Sequence, residues 1–264
     1  MLSSYADCPR RAAAKQFRKL FAADGYEFRQ LAPSVGSAAG TALHVITGEM
    51  NRAVWNGEQF RLDDALQMAF QGFSEGIAEG CEWDATTPNT NTAEYQIRRM
   101  AAVYKPRMPL TIDGAPAIEI GGEYGIRANA GDGWTLSGHP DLIGADAAVD
   151  DTKSGVVLRP HQPQLGGYSL LLRSNNLVRP TRIGLTFIQR IAKTKPQKPP
   201  VIVEYSIPEA ERYAMGVIKR IKSDMATYKE TGDLEQSFLV NPCSMMCSPK
   251  FCPAHGTDFC PITK

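Results

Sequence analysis

The spacing of hydrophobic positions divides the chain into a helical first part and a mixed second part. Before Pro109, apolar residues recur every three or four positions, the spacing of a helix with one buried face. Helices are predicted over residues 3–23, with a break at Cys8-Pro9, and over residues 40–55, 62–77 and 92–104. The first hundred residues are therefore predicted to be mostly helical.

After Pro109 the pattern changes to short apolar segments divided by glycine-rich turns, which is typical of consecutive strands. Strands are predicted over residues 117–126, 135–143, 147–153, 183–191 and 201–205, and helices over residues 163–172 and 208–228. A tail rich in Pro, Gly and Cys follows. This order predicts one mixed α/β domain with three parts, residues 1–108, 109–230 and 231–264.

Composition narrows the class of protein. Of the 264 residues, 43% are hydrophobic and 22% are charged, which suits a globular chain and excludes a disordered or collagen-like one. No apolar run approaches the roughly 20 residues of a membrane helix, and the N-terminus becomes polar and basic without an apolar stretch. We therefore expect a cytoplasmic protein with no membrane partner. In that compartment the six cysteines suit a metal or a cluster better than disulfides.

The formal net charge of +1 conceals a segregation of charge along the chain. Residues 58–94 carry eight acids and only Arg61, whereas residues 173–198 carry seven bases and no acid. The seven bases are Arg173, Arg179, Arg182, Arg190, Lys193, Lys195 and Lys198. Contact with a polyanion requires such a run, because each base that neutralises a phosphate releases a counterion. A solvated loop is the alternative interpretation.

One short stretch, residues 138–155, carries the candidate chemistry. If Gly144 lies in a turn, residues pair across a hairpin with numbers that sum to about 290 to 292, which sets Asp141 opposite residues 149–151. Two carboxylates across a strand pair have Cβ atoms roughly 5 Å apart, and they repel unless a cation lies between them. The hairpin therefore predicts a site for Mg²⁺ or Mn²⁺, which prefer oxygen ligands.

The second strand of this hairpin adds an ammonium group to the predicted site. Side chains alternate along a strand, so Asp151 and Lys153 project on one side, roughly 7 Å apart, and Asp150 projects on the other. Lys153 can then orient a water that the cation activates, or stabilise the developing negative charge. The alternative is an exposed hairpin with scattered charges, because single D-x-K triplets are common by chance.

Several motifs in one order resemble those of a nuclease family. Pro140-Asp141, nine residues and Asp151-Thr152-Lys153 are similar to the signature that names the PD-(D/E)XK nuclease superfamily. Other motifs resemble its RecB-like branch: Cys8-Pro9-Arg10-Arg11, the G-x-x-x-H element that ends at His44, the G-x-x-D and D-x-K-[ST]-G elements that begin at Gly138 and Asp151, and the Q-x-x-x-Y element from Gln164 to Tyr168. One departure is Asp150, where the family usually has an apolar residue.

The resemblance implies a fold and an activity. The fold is a restriction-endonuclease-like core, a central mixed sheet flanked by helices, with a helical N-terminal part and a Cys-rich tail that packs back on the N-terminus. The activity is that of a Mg²⁺- or Mn²⁺-dependent DNA exonuclease, which acts on single strands or duplex ends in recombination, repair or replication.

The resemblance also implies roles for individual residues. The metal ligands would be His44, Asp141, Asp151 and the main-chain carbonyl of Thr152. Lys153 would position the attacking water, and Gln164 and Tyr168 would shape the site. Contacts with DNA are expected from Arg10, Arg11, Arg190, Lys193, Lys195 and Lys198. From the residues alone, His44 is at least as often a packed residue as a ligand, and Gln164 with Tyr168 equally suits a polar anchor and a core aromatic.

Four cysteines lie within 18 residues near the C-terminus, in a segment that cannot form much apolar core: Cys243, Cys247, Cys252 and Cys260. Thiolate ligation would supply the folding free energy that this segment lacks, and the spacing does not choose between zinc and an iron–sulfur cluster. A Zn²⁺ site would use these four, with His255 able to replace one. The resemblance implies instead a [4Fe–4S] cluster on Cys8, Cys247, Cys252 and Cys260, with Cys243 as a substitute, in a tail similar to that of phage-encoded members.

Two other functions are compatible with the sequence. One is a non-catalytic nucleic-acid-binding or assembly module, in which the Cys-rich tail is structural and the hairpin is inert. The other is an RNA-directed member of the same chemistry. The sequence has no G-x-x-x-x-G-K-[ST] loop, so ATP-driven strand separation is not supported. The absence of G-x-S-x-G and H-E-x-x-H motifs disfavours a serine hydrolase and a zinc protease.

Overall fold

The structure of the protein, a computed structural model, describes residues 1–262. These residues form two compact units. The first contains Met1–Leu31, His161–Gln164 and the chain from Ala210 onward, and the second contains Ala32–Pro160 and Leu165–Glu209. Residues 263 and 264 of the predicted tail lie outside the described residues. Among residues 1–262, no helix combines the length and the apolarity that a membrane crossing needs.

Nine α-helices and eight β-strands form within the described part of the chain. The helices are α1 (Leu2–Asp7), α2 (Pro9–Gln16), α3 (Arg18–Ala23), α4 (Val35–Asn56), α5 (Leu62–Gly76), α6 (Thr90–Val103), α7 (Gln162–Ser174), α8 (Ile207–Thr231) and α9 (Leu234–Ser237). The strands are β1 (Thr111–Ile112), β2 (Ala115–Pro116), β3 (Ile126–Gly131), β4 (Trp134–Gly138), β5 (Leu142–Ile143), β6 (Ala148–Gly155), β7 (Arg182–Gln189) and β8 (Val201–Tyr205). The predicted mixed α/β class is confirmed.

A mixed four-stranded sheet in the order β5-β6-β7-β8 forms the centre of the second unit. β5 and β6 are antiparallel, β6 and β7 are parallel, and β7 and β8 are antiparallel. Most side chains of β6 and β7 are buried, as expected of central strands that are covered on both faces. These two strands therefore offer a fixed frame for any side chain that they carry.

Three helices of the second unit pack together against this sheet. Buried side chains of α4, α5 and α6 form one hydrophobic cluster, which Ile188 of β7 joins. α4 begins five residues before its predicted start, because the Ser34 side chain caps it by accepting a hydrogen bond of 3.2 Å from the Ser37 N–H. It ends at Gly57, whose φ of 69° is left-handed. The predicted helical N-terminal part is confirmed.

Two of the predicted strands differ from the structure. Residues 117–126 do not form one strand, because Gly121, Gly122 and Gly125 adopt positive φ and a short 3-10 helix lies there. Residues 135–143 form two strands, β4 and β5, since Pro140 between them has no N–H for a ladder hydrogen bond. β8, by contrast, has the predicted bounds.

Aromatic contacts and a buried arginine stabilise the first unit. Phe21 contacts Phe238 and Phe259 edge to face, with ring centroids 5.6 and 4.7 Å away. Arg10, which is 1% exposed, donates hydrogen bonds to the carbonyls of Phe238, Phe259 and Leu234 at 3.1, 2.6 and 2.7 Å. These bonds join α2 to the segment after α8 within this unit. The division of the chain into residues 1–108, 109–230 and 231–264 stays a prediction.

Candidate active site

The β5–β6 hairpin brings the predicted carboxylates together. Ile143 pairs with Val149, so that paired numbers sum to 292, within the predicted range. Asp141 directly precedes β5, and its Oδ2 accepts a hydrogen bond of 2.7 Å from the main-chain N–H of Thr152. The Asp141 side chain therefore lies against β6, next to the position of Asp151.

Asp151 and Lys153 form an ion pair on β6. The Lys153 Nζ lies 2.6 Å from the Asp151 Oδ2. Asp151 is fully buried, whereas the Lys153 side chain is 23% exposed, so the ammonium group links a buried carboxylate to solvent. Asp150 hydrogen-bonds elsewhere, because the Thr186 hydroxyl donates to its Oδ2 at 2.9 Å. The aspartate that contacts Lys153 is therefore Asp151, as the D-x-K spacing predicts, and not Asp150.

His44, on α4, lies beside the same carboxylates. Its Nδ1 is 3.3 Å from the Asp141 Oδ2. Burial, followed by the positive charge of Lys153, lowers the pKa of His44, so the imidazole is neutral at pH 7. Burial, followed by the negative charge of Asp151, raises the pKa of Asp141 well above its usual range. The structure thus brings His44, Asp141, Asp151 and Lys153 into one site.

Two buried residues outside the motifs support this site. The Asn51 Nδ2 donates a hydrogen bond of 2.9 Å to the Tyr104 hydroxyl, and Tyr104 also hydrogen-bonds the Thr152 side chain. Burial raises the pKa of Tyr104 to about 12, so its hydroxyl stays protonated. The Asn51 Oδ1 accepts a hydrogen bond of 2.9 Å from the main-chain N–H of Arg107. The Nη1 of the Arg107 side chain lies 3.7 Å from the Asp150 Oδ2. The sequence carries no signal for this network, because its members lie on separate segments.

The two residues of the Q-x-x-x-Y element belong to different units. Tyr168, which is 9% exposed, lies in the second unit and packs on Gly138. A Cβ added at Gly138 would lie 2.8 Å from the Tyr168 Cε1. Gln164 lies in the first unit, where its Oε1 is 3.4 Å from the His161 Nδ1. Tyr168 thus contacts the G-x-x-D element, and a role of Gln164 at the site stays a prediction.

Three of the six predicted DNA contacts are buried. Arg10, Arg11 and Arg190 are 1%, 6% and 4% exposed. Arg11 pairs with Asp7 at 2.8 Å, and the Arg190 Nη2 lies 2.6 Å from the Asp84 Oδ2. These guanidinium groups are used inside the protein, where a DNA backbone does not reach them. The prediction that these three arginines contact DNA is therefore corrected.

The lysines of the basic segment remain at the surface of the second unit. Lys193, Lys195 and Lys198 lie between β7 and β8, and all three are exposed. The Lys193 Nζ lies 5.3 Å from the centroid of the Tyr95 ring, a cation–π distance. Contact of the three lysines with DNA stays a prediction.

The four predicted cluster cysteines all belong to the first unit. Cys8, Cys252 and Cys260 are each 5% exposed, and Cys247 is half-buried. Burial raises the pKa of the Cys252 and Cys260 thiols, and negative charge on the neighbouring cysteines, including Cys8 and Cys247, acts in the same direction. Cys243, the predicted substitute, is exposed.

The donor chemistry of the hairpin suits a hard divalent cation. Two carboxylates lie near each other there, and carboxylate oxygens are the ligands that Mg²⁺ and Mn²⁺ prefer; a neutral imidazole lies beside them. Within residues 1–262, no three His, Cys, Asp or Glu side chains are spaced to hold an ion as they stand. In the structure the positive charge next to Asp151 is the ammonium group of Lys153.

Comparison with known proteins agrees with this geometry. The family model described as the PD-(D/E)XK nuclease superfamily matches residues 1–260, nearly the whole chain. The chain therefore belongs to the PD-(D/E)XK nuclease superfamily. No curated protein and no solved structure matches it.

Membership in this superfamily implies a hydrolytic nuclease whose substrate is DNA, and such nucleases typically use Mg²⁺ or Mn²⁺. The predicted superfamily and its fold are confirmed. The RecB-like branch, the exonuclease activity, the iron–sulfur cluster and the similarity to phage-encoded members stay predictions.

The contact between Gly138 and Tyr168 gives the first testable prediction. In Gly138→Ala the new methyl group would overlap a buried ring, so we expect the free energy of unfolding to fall by about 1 to 3 kcal/mol. Gly155→Ala is the matched control, because its new Cβ would meet no atom closer than 3.6 Å. It should change that free energy by no more than about 0.5 kcal/mol. Urea unfolding measures both, and equal losses in the two variants would contradict the packing.

Proposed function

We propose that the protein is a Mg²⁺- or Mn²⁺-dependent DNA exonuclease that hydrolyses phosphodiester bonds of single strands or duplex ends in recombination, repair or replication. Membership in the nuclease superfamily supports the hydrolytic activity and the DNA substrate. The metal requirement is supported by the oxygen-rich hairpin. Exonuclease action rests on the resemblance of the motifs to the RecB-like branch.

The observation that carries the proposal is the 2.6 Å contact between the Lys153 Nζ and the Asp151 Oδ2 beside Asp141. A structural ion pair would need only one carboxylate. A second carboxylate next to it, the partly buried Asp141, raises the free energy of the folded state, since like charges shielded from solvent repel. Such an arrangement is typical of a functional site, where the pKa of a group such as Asp141 is strongly perturbed.

Each residue of the site has a role in this proposal. His44, Asp141, Asp151 and the carbonyl of Thr152 would hold the divalent cation, and Tyr104 would fix the position of Thr152. Bound there, the cation would supply Lewis-acid charge to the phosphate and to the attacking water.

Lys153 would act on the reacting groups themselves. Its ammonium group donates hydrogen bonds to the attacking water and to a phosphate oxygen, and so orients the water in line with the scissile bond. The water oxygen forms a bond to phosphorus and gives up one proton to solvent, the phosphorus–oxygen bond to the leaving group breaks, and the leaving oxygen takes up one proton from solvent. Tyr168 would shape a wall of the site through its contact with Gly138.

The proposal predicts the effect of three substitutions on cleavage of end-labelled DNA with Mn²⁺. Asp151→Asn and Lys153→Met should each lower the rate at least about 10²-fold, the usual loss when one preorganised charged group is removed. Asp150→Asn is the matched control, because this neighbouring carboxylate faces Thr186 and its amide can keep that hydrogen bond. It should retain activity within about tenfold.

A circular single strand separates exonuclease from endonuclease action, since it offers no end. We expect linear single strands to be degraded and circles to survive. Cleavage by folded Asp151→Asn and Lys153→Met at the wild-type rate would overturn the nuclease assignment to this hairpin. DNA binding without cleavage under any divalent cation would favour the assembly module instead.

We also infer that Cys8, Cys247, Cys252 and Cys260 hold a [4Fe–4S] cluster. Burial of Cys8, Cys252 and Cys260 in one unit supports this ligand set, whereas the exposure of Cys243 disfavours it as a ligand. Zinc on Cys243, Cys247, Cys252 and Cys260 is the alternative, with His255 able to replace one cysteine. The His255 ring is 8% exposed, and its Nε2 has no hydrogen-bond partner among the described residues.

Metal analysis of anaerobically purified protein tests the cluster. We expect about four iron atoms and matching acid-labile sulfide per chain. Cys252→Ser should lose this iron, while Cys81→Ser, a half-buried cysteine of the second unit, should retain it. One zinc atom and no iron in the wild type would contradict the cluster and support the alternative.

A further inference from the structure

A cleft of about 400 Å³ opens where β6 and β7 end. Val156 and Gln189 line its floor, and Lys195, Pro196, Lys198 and Pro199 line its wall. All of them belong to the second unit. Its two lysines belong to the basic segment of residues 173–198.

The cleft lies close to the candidate active site along the chain. Val156, which lines the cleft, comes three residues after Lys153, just beyond the end of β6 at Gly155. Three residues of chain span at most roughly 10 Å, so the Val156 main chain lies within that distance of Lys153. A DNA strand whose scissile phosphate sits beside Lys153 would meet the cleft with one of its next nucleotides.

The charge of the cleft suits a polyanion. Lys195 and Lys198 are exposed, and neither ammonium group makes an ion pair with another residue of the described chain. Arg190, which also lines the cleft, is neutralised by Asp84 at 2.6 Å. Two uncompensated positive charges therefore face the space, and each can neutralise one phosphate.

The wall of the cleft is held in place before any ligand arrives. The Arg99 Nη2 donates to the Lys195 carbonyl at 2.6 Å, and the Gln197 Nε2 donates to the Gln189 carbonyl at 2.9 Å. The Gln189 Nε2 in turn donates to the Val156 carbonyl at 2.9 Å. These bonds tie the loop to α6 and to the floor, so little conformational entropy is lost when a ligand binds.

We propose that this cleft binds single-stranded DNA through two phosphates, which contact Lys195 and Lys198, next to the scissile bond. The apolar lining carries the choice of a single strand, because a duplex keeps its base faces stacked and offers a surface cleft only phosphates and sugars. Apolar surface on Val156, Pro196 and Pro199 can contact sugars and base faces, which suits a single strand whose bases are unpaired. This inference rests on the proposed nuclease function for its placement beside the active site.

Binding of a fluorescein-labelled oligothymidine of about 20 nucleotides, followed by anisotropy in EDTA, tests the proposal without cleavage. Each phosphate contact on a single strand contributes about 0.7 to the slope of log affinity against log salt. Lys195→Ala with Lys198→Ala should therefore reduce the slope by about 1.4 between about 50 and 200 mM salt, and weaken binding about tenfold at the low end. Lys219→Ala with Lys229→Ala, two exposed lysines of α8, is the matched control and should leave the slope unchanged.

The outcomes separate this proposal from the nuclease assignment. The proposal that the cleft binds DNA is overturned if the double variant of Lys195 and Lys198 leaves the slope of log affinity against log salt unchanged, or if the control changes it equally. This holds even if Asp151→Asn abolishes cleavage. A reduced slope supports the cleft as a strand-binding site even if the wild type cuts no DNA. The Lys195 and Lys198 double variant should lose less affinity for a blunt-ended hairpin duplex of the same length than for the single strand. An equal loss for both DNAs would overturn the choice of a single strand.

Discussion

Repulsion between the buried carboxylate of Asp151 and the partly buried carboxylate of Asp141 is the constraint on which the rest of the site depends. Burial and then the charge of Asp151 raise the pKa of Asp141 well above its usual range. Buried like charges are costly unless positive charge offsets them. Lys153 supplies one such charge at 2.6 Å from Asp151, and a divalent cation would supply two more. The carboxylate repulsion that destabilises the folded hairpin thus favours binding of a cation. A bound cation can in turn bind an anionic phosphate.

The surrounding elements hold this unfavourable arrangement in place. Parallel pairing with β7 fixes β6 along its length, and the buried Tyr104 fixes Thr152 from the side of α4. Gly40 lets α4 approach β6 closely, since a Cβ there would lie 3.3 Å from the Ser154 Oγ. His44 follows one helical turn later and so reaches Asp141. This gives a physical reason for the glycine in the G-x-x-x-H element.

Local patterns predicted what short-range geometry determines, and missed what depends on distant partners. The pairing of Ile143 with Val149 followed from one turn at Gly144, and the alternation of side chains separated Asp151 from Asp150. Arg190 was predicted to contact DNA because its neighbours in sequence are basic. Its partner Asp84 lies 106 residues away in the acidic segment, and no charge count along the chain reveals that pair.

The Tyr104–Asn51 network shows the same limit, since 53 residues separate its members and neither belongs to a motif.

The central claim, that the two carboxylates share one cation, can be tested directly by anomalous diffraction from crystals grown with Mn²⁺. The account predicts a single strong manganese peak within about 2.5 Å of oxygens of both Asp141 and Asp151. Well-ordered carboxylates with no manganese between them, or a peak bound to Asp150 alone, would contradict it.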